Sequence, residues 1–351
     1  MTAGRGEGGK RLLLLGTGGT IAAAESRHGL HPAYRAAELL ARVPEAAEVP
    51  GVASIEPKDV FLLDSSNIQP EEWRALARAC AEALSPAGGG YDGIVVTHGT
   101  DTMAYTAAML SYMLRGLDRP VVLTGSQMPL HEPFTDARLN LPSAVSVAAT
   151  APRGVFLAFD RKVIHGCRAV KVRTTGVDAF ESVNFPLAGR IGESGAAMAY
   201  EWPAPDGPLR LEDGLSPDVF LLKLVPGTRP ELFRELRRMG YRGLVVEAFG
   251  IGGLHFIRRN LARAVEEAVA DGMAVVVTSQ CLYERADLSI YEVGRRILDK
   301  GIIPAFDMTT EAAVTKLMWV LGRTEDPAEV RAWMHRDLCG EICPPPREGG
   351  P

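Results

Sequence analysis

Two short stretches gather the groups that can do chemistry. GTGGT, residues 16–20, follows the apolar residues 12–15 and packs three glycines and two threonines into five positions. HGTDT, residues 98–102, follows another β-rich run and adds a carboxylate, Asp101, between Thr100 and Thr102. A strand that runs into a glycine-dense turn can cradle a phosphate or present a nucleophile. Both phosphate readings fail on the letters. The dinucleotide fingerprint needs Gly or Ala at the sixth place, where Ile21 stands, and the P-loop needs Gly-Lys-Ser/Thr, which is absent. A hydroxyl nucleophile remains. It is weak at neutral pH until a base and an orienting group act on it. A lysine tuned by a carboxylate and partial burial serves as that base in Ser-Lys hydrolases. Asp101 can supply the carboxylate, and HGCRAVKVRTTG, residues 165–176, offers Lys171. Asp101 also reads as a helix N-cap, a common place for aspartate. The letters alone do not choose between Thr17 and Thr20.

These groups need a scaffold that brings them together. Apolar β-rich runs at 11–15, 60–63, 93–97, 120–124, 154–159, 219–224, 243–248 and 273–278 alternate with helical patterns at 70–84, 102–114, 134–149, 230–239, 260–270, 291–298, 311–321 and 326–335. That alternation predicts an α/β protein with a largely parallel sheet. Ligands bind such sheets beyond the carboxyl ends of the strands, where both turns sit. WPAPDGPLRLEDGLSPD, residues 202–218, is rich in Pro, Gly and Asp and breaks both periodicities. The expected organisation is a catalytic α/β domain over 1–203, a linker over 204–217 and a smaller α/β domain over 218–351.

The composition bounds the partners. The chain has 351 residues, 46% of them hydrophobic and 23% charged, with a net charge of −5. Those values suit a soluble enzyme and argue against a nucleic-acid partner. The most basic cluster, residues 234–242, reads as the solvated face of a helix. No apolar stretch reaches the ~20 residues that span a bilayer. The run at 12–15 is too short for a signal peptide, so the expected location is the cytoplasm, with no membrane partner. Five scattered cysteines suit reduced thiols. Cys339 and Cys343 have no histidine or second pair nearby, so no metal site is expected.

The motifs taken together resemble a known family. GTGGTIA, DSSN at 64–67, HGTDT, TGSQMP at 124–129, RAVK at 168–171, SQC at 279–281 and DMTTEAAVTKLMWVLG at 307–322 resemble the bacterial-type L-asparaginases. The pattern is nearer the cytoplasmic type I and archaeal-like enzymes than the secreted type II enzymes, and the likeness runs from residue 11 to 342. It implies a two-domain fold whose smaller C-terminal domain is flavodoxin-like, assembled as a homodimer or homotetramer without a cofactor. It implies ping-pong hydrolysis of L-asparagine to L-aspartate and ammonia through a threonine acyl-enzyme. Thr20 then falls on the nucleophile and Thr17 on a turn position. Thr100 would position the attacking water or polarise the amide. Asp101 would hold the substrate's α-amino group and orient Lys171, which would accept protons or stabilise charge. Asp64, Ser65 and Ser66 would hold the substrate's α-carboxylate and amino group. Backbone N–H groups of the two glycine-bearing turns would serve as oxyanion donors.

The chain departs from the family at one point. A tyrosine usually follows TGGT on a flexible loop, and here SRHGLHPAY puts Leu30 in that register, with Tyr34 further on. Leu30 reads as a packing residue of a closing lid. A second likeness is to the asparaginase-like component of the archaeal-type tRNA-dependent glutamine amidotransferase, which shares TGGT, the Thr-Asp pair and the lysine. That component carries a further domain before TGGT, and few residues precede it here. A non-catalytic amino-acid-binding module is the remaining alternative, and retention of all four reactive side chains counts against it.

Overall fold

The computed structural model describes residues 9–343 apart from His28, Glu201, Pro203 and Asp206. The chain divides into two compact units, Met1–Ser182 with Pro186–Asp213, and Val183–Phe185 with Gly214–Pro351.

The first unit is built on an eight-stranded sheet. Its spatial order is Gly195–Met198, Gly189–Gly192, Lys162–His165, Gly154–Phe159, Pro120–Thr124, Gly93–Thr97, Lys10–Gly18 and Val52–Leu63. The last five of these run parallel, and the first three join antiparallel at the other edge. The central strands carry LLLL, GIVV and PVVL, buried on both faces, as parallel strands covered by helices must be. Their register sets the site. Gly16 pairs with Thr97, and Thr97 with Thr124. Three turns therefore leave the sheet at one level: GTGGT, HGTDT and TGSQMP.

Val52–Leu63 is far longer than the run at 60–63 predicts. It lies at the sheet edge and carries Glu56, Pro57, Lys58 and Asp59. Proline and charge are what an edge strand tolerates, and they hide its apolar alternation. Helix Pro70–Leu84 has the predicted bounds. Pro70 occupies its first turn, and Gln69 and Glu72 form a reciprocal cap. Helix Ala137–Thr150 starts later than the expected residue 134, because Thr135 and Asp136 hold a loop instead. Helix Ala36–Arg42 and the hairpin of Ala23–Ser26 with Gly29–Pro32 are unpredicted elements.

The second unit holds a four-stranded parallel sheet, Val219–Lys223, Gly243–Ala248, Ala274–Ser279 and Ile303–Pro304. The parallel α/β sheet expected here is present, and its strands run in chain order. Leu244, Val246, Val275 and Val277 pack with Leu261, Val265 and Ile297 in its core. Helix Thr310–Leu321 carries Lys316, which is fully buried and meets the equally buried Glu341 at 2.6 Å. Lys316 Nζ also donates to Met334 O and Arg336 O, so one ammonium ties three points of the C-terminal segment together. No described helix is long and apolar enough to cross a membrane.

Candidate active site

Two glycines shape the first turn. Gly18 and Gly19 have φ of 100° and 78°, a region open to glycine and strained for other residues. A Cβ on Gly19 would also overlap the backbone of Gly99, and one on Gly18 the backbone of Leu63. GTGGT and HGTDT thus touch backbone to backbone. Ser65 completes the junction, since a Cβ on Gly99 would meet its hydroxyl. The amide of Gly19 donates to Leu63 O at 2.9 Å, which removes it from the expected oxyanion donors. The amide of Thr100 has no acceptor among the described residues and remains available.

The two threonines of the first turn differ. Thr17 is buried and its hydroxyl donates to Thr97 O at 2.8 Å, a bond across the sheet. Thr20 opens a short 3-10 turn, Thr20–Ala22, is half-buried, and its hydroxyl has no hydrogen-bond partner among the described residues.

The second turn carries the charged groups. Strand Ala169–Lys171 pairs with Phe180–Ser182 and ends at Lys171. Lys171 Nζ donates to Asp101 Oδ1 at 2.6 Å and to Thr100 Oγ1 at 2.9 Å. Asp101 is therefore a partner of Lys171, and the helix that follows begins after Thr102. Thr102 Oγ1 donates to Ser65 O at 2.8 Å and fastens this turn to the next. His98 is fully buried, and burial pushes its imidazole down to about 4, so the ring is neutral at pH 7. Its Nδ1 lies 2.7 Å from Gly99 O, a contact that makes Nδ1 the protonated nitrogen and braces the turn.

The third segment is Asp64, Ser65 and Ser66. Asp64 caps a 3-10 turn, Ser65–Asn67, and accepts from the amide and hydroxyl of Ser66 at 2.9 and 2.7 Å. Those two bonds hold its carboxyl below the usual range. Asp64 and Ser66 are exposed and Ser65 is buried.

Gln127 is a member of the cluster for which TGSQMP gave no role. Its Oε1 accepts from Thr100 Oγ1 at 2.9 Å, and its Nε2 donates to Thr174 O and Gly176 O, each at 3.1 Å. Asp136 grips the backbone of this turn through the amides of Gln127 and Met128. Asn140 Nδ2 adds a bond to Gly125 O. The signal was visible only as a polar residue just past a strand end.

Leu30 and Tyr34 follow the Thr20 turn, and the amide of Tyr34 donates to Ala22 O at 2.9 Å. Leu30 sits on the hairpin opposite Glu25 and is 54% exposed, so it packs on little in this structure. Tyr34 packs against the core, with the Arg42 guanidinium 4.4 Å from its ring centre. It lines a surface cavity of about 440 Å³ with Leu130, Pro133 and Arg138.

Known proteins share this arrangement of sequence and fold. Residues 11–205 match the family described as asparaginase, N-terminal, and residues 218–334 the glutaminase/asparaginase C-terminal domain. The chain is 43% identical to an L-asparaginase of Thermococcus kodakarensis over 95% of its own length and 99% of that protein. The solved structure of the thermostable L-asparaginase from that organism superposes with a TM-score of 0.88 over the same shares. The crystal structure of L-asparaginase I from Vibrio cholerae superposes with a TM-score of 0.83 at 30% identity, over 95% of this chain and 99% of that one. One component of the glutamyl-tRNA(Gln) amidotransferase of Thermococcus kodakarensis is 39% identical over 97% of this chain and 78% of its own length.

Proposed function

The chain belongs to the asparaginase family, and from that premise we propose that it hydrolyses L-asparagine to L-aspartate and ammonia through an acyl-enzyme on Thr20. The observation that carries this reading is the bonded group of Lys171, Asp101 and Thr100 on a turn that touches the turn of Thr20.

The proposed chemistry follows from these groups. Thr20 Oγ attacks the side-chain amide carbon, and the developing oxyanion takes the free Thr100 amide. Lys171 gives a proton to the departing nitrogen and receives the one Thr20 loses. Ammonia leaves, an aspartyl ester remains on Thr20, and Lys171 is again an ammonium. Water then attacks the ester, its proton passes by the same route to Thr20 Oγ, and aspartate is released. Asp101 keeps Lys171 in place through the 2.6 Å ion pair. The ionised carboxylates of Asp64 and Asp101 suit the substrate's α-ammonium, and the hydroxyls of Ser65 and Ser66 suit its α-carboxylate. The path does not use Tyr34, whose partly buried ring packs against the core. We further propose a cytoplasmic homodimer or homotetramer, with domains at 1–203 and 218–351 joined by residues 204–217.

Steady-state ammonia release by the purified chain, on L-asparagine, L-glutamine and D-asparagine, tests the reading. Turnover of L-asparagine is expected without tRNA or a partner protein. Turnover only with both added would favour a role within a tRNA-dependent amidotransferase, a reading that the 39% identity to the amidotransferase component keeps in view. No turnover under either condition would leave an amino-acid-binding module.

A further inference from the structure

The hydrogens around Thr100 can be counted. Its hydroxyl has one proton and lies 2.9 Å from both Gln127 Oε1 and Lys171 Nζ. The orientation of the Gln127 amide is decided by its other end. Nε2 faces two carbonyl oxygens, Thr174 O and Gly176 O, and carbonyls can only accept, so the NH₂ must lie there and Oε1 must face Thr100. An amide oxygen can only accept as well. The Thr100 proton therefore goes to Gln127, and the hydroxyl oxygen accepts from the Lys171 ammonium. The reverse arrangement, with Thr100 donating to Lys171, would set two oxygens face to face with no proton between them and leave Lys171 uncharged beside Asp101.

We propose that Gln127 is a positioning residue that takes the Thr100 proton and so makes Thr100 an acceptor, never a donor, toward the substrate side. Of the two roles open to the Thr100 hydroxyl, this selects orientation of the attacking water and leaves polarisation of the amide carbonyl to the Thr100 backbone N–H. A hydroxyl that accepts a hydrogen bond from water turns the water's lone pair toward the ester carbon. A hydroxyl that donates to the water would tie up one of its two lone pairs and draw electron density from the attacking oxygen. Gln127 is well held for this task. Its amide NH₂ is bonded twice, and its backbone N–H is bonded to Asp136, which also accepts from Met128 N and Asn140 Nδ2.

The inference rests on the acyl-enzyme reading above, and its signature is a split between the two half-reactions. Acylation is followed by the first ammonia released in rapid-quench experiments, and deacylation by aspartate release and by partition of the acyl group to added hydroxylamine. Two variants separate acceptor from tether. Gln127→Met keeps the shape but removes the acceptor and the donors. Gln127→Glu keeps an acceptor oxygen toward Thr100 and loses the donors to Thr174 and Gly176. In Gln127→Met, deacylation is expected to slow at least about tenfold more than acylation, giving a burst of ammonia and a larger hydroxamate fraction. In Gln127→Glu the ratio of the two rates is expected to return toward that of the wild type, whatever happens to thermal stability. Equal slowing of both half-reactions in Gln127→Met, or a Gln127→Glu ratio no better than that of Gln127→Met, would overturn the proposal. Absence of hydroxamate from every variant and from the wild type would instead remove the acyl-enzyme on which it stands.

Discussion

Thr17 and Thr20 share one turn and differ in what their hydroxyls hold. Thr17 Oγ1 is spent on Thr97 O inside the sheet, and Thr20 Oγ1 is uncommitted among the described residues. Thr20→Ala is expected to abolish turnover with an unchanged melting temperature. Thr17→Ala is expected to keep most of kcat and lose about 1 kcal/mol of stability, the usual net value of one buried hydrogen bond. Asp101 and Lys171 act through one ion pair. Asp101→Ala and Lys171→Met should each lower kcat/KM at least ~10²-fold. The double variant should lose far less than the product, because groups that act as a unit are non-additive. Full additivity would show that they work separately. The sequence made the reactive types and their turns visible, since threonine, aspartate and lysine stood at strand ends. It could not rank the two threonines by itself, because that ranking depends on a carbonyl from a neighbouring strand. Gln127 was hidden for a similar reason: its four polar partners come from residues 100, 136, 174 and 176.

Elements were legible where their periodicity was undisturbed. The strands Gly93–Thr97, Pro120–Thr124 and Gly154–Phe159 and the helix Pro70–Leu84 have their predicted bounds. Of the edge strand Val52–Leu63 only residues 60–63 were legible, and the hairpin at 23–32 was not, since edge and exposed strands carry polar residues on both faces. The hairpin carries Leu30, and Gly29 beside it has a φ of 108°. An exposed apolar residue on a short hairpin can cover the substrate without acid–base chemistry. Leu30→Tyr should change kcat by less than about tenfold, and Leu30→Gly should raise KM more than it lowers kcat. Tyr34→Phe should leave kcat near wild type, and its collapse would show that the hairpin shifts register in solution. Helix Thr310–Leu321 holds a pH-sensitive group, Glu311. Burial, helped by the Glu247 carboxylate and opposed by hydrogen bonds from its own backbone and Thr309, raises its carboxyl from 4.5 to about 7. The native state thus binds this proton more tightly than the unfolded chain. Its stability should fall as pH rises from 4.5 to about 7 and level off above. Glu311→Gln should flatten that slope in urea titrations and gain roughly 1–3 kcal/mol at pH 8.

At the scale of the molecule, the second unit is closed by the buried pair of Lys316 and Glu341. Burial alone would raise the Glu341 carboxyl. The Lys316 ammonium and hydrogen bonds involving Asp337, Lys316 and the Cys339 amide outweigh it and bring it down to about 2. The stabilisation is fully present above the ordinary 4.5 and is lost as pH falls toward 2. Lys316→Met leaves a buried carboxylate without its cation and should lower stability by about 3–5 kcal/mol in chemical denaturation, with a smaller loss in the double variant with Glu341→Gln. All the reactive groups lie in the first unit, so these changes should shift the melting temperature more than kcat. That Thr20 carries the acyl group is tested most directly by mass spectrometry of the whole chain, mixed with L-asparagine and quenched in acid within one turnover. The expected result is an adduct of one aspartyl group, mapped to the peptide containing GTGGT and absent from Thr20→Ala. An adduct on Thr17 or Thr100, or one that persists in Thr20→Ala, would contradict it.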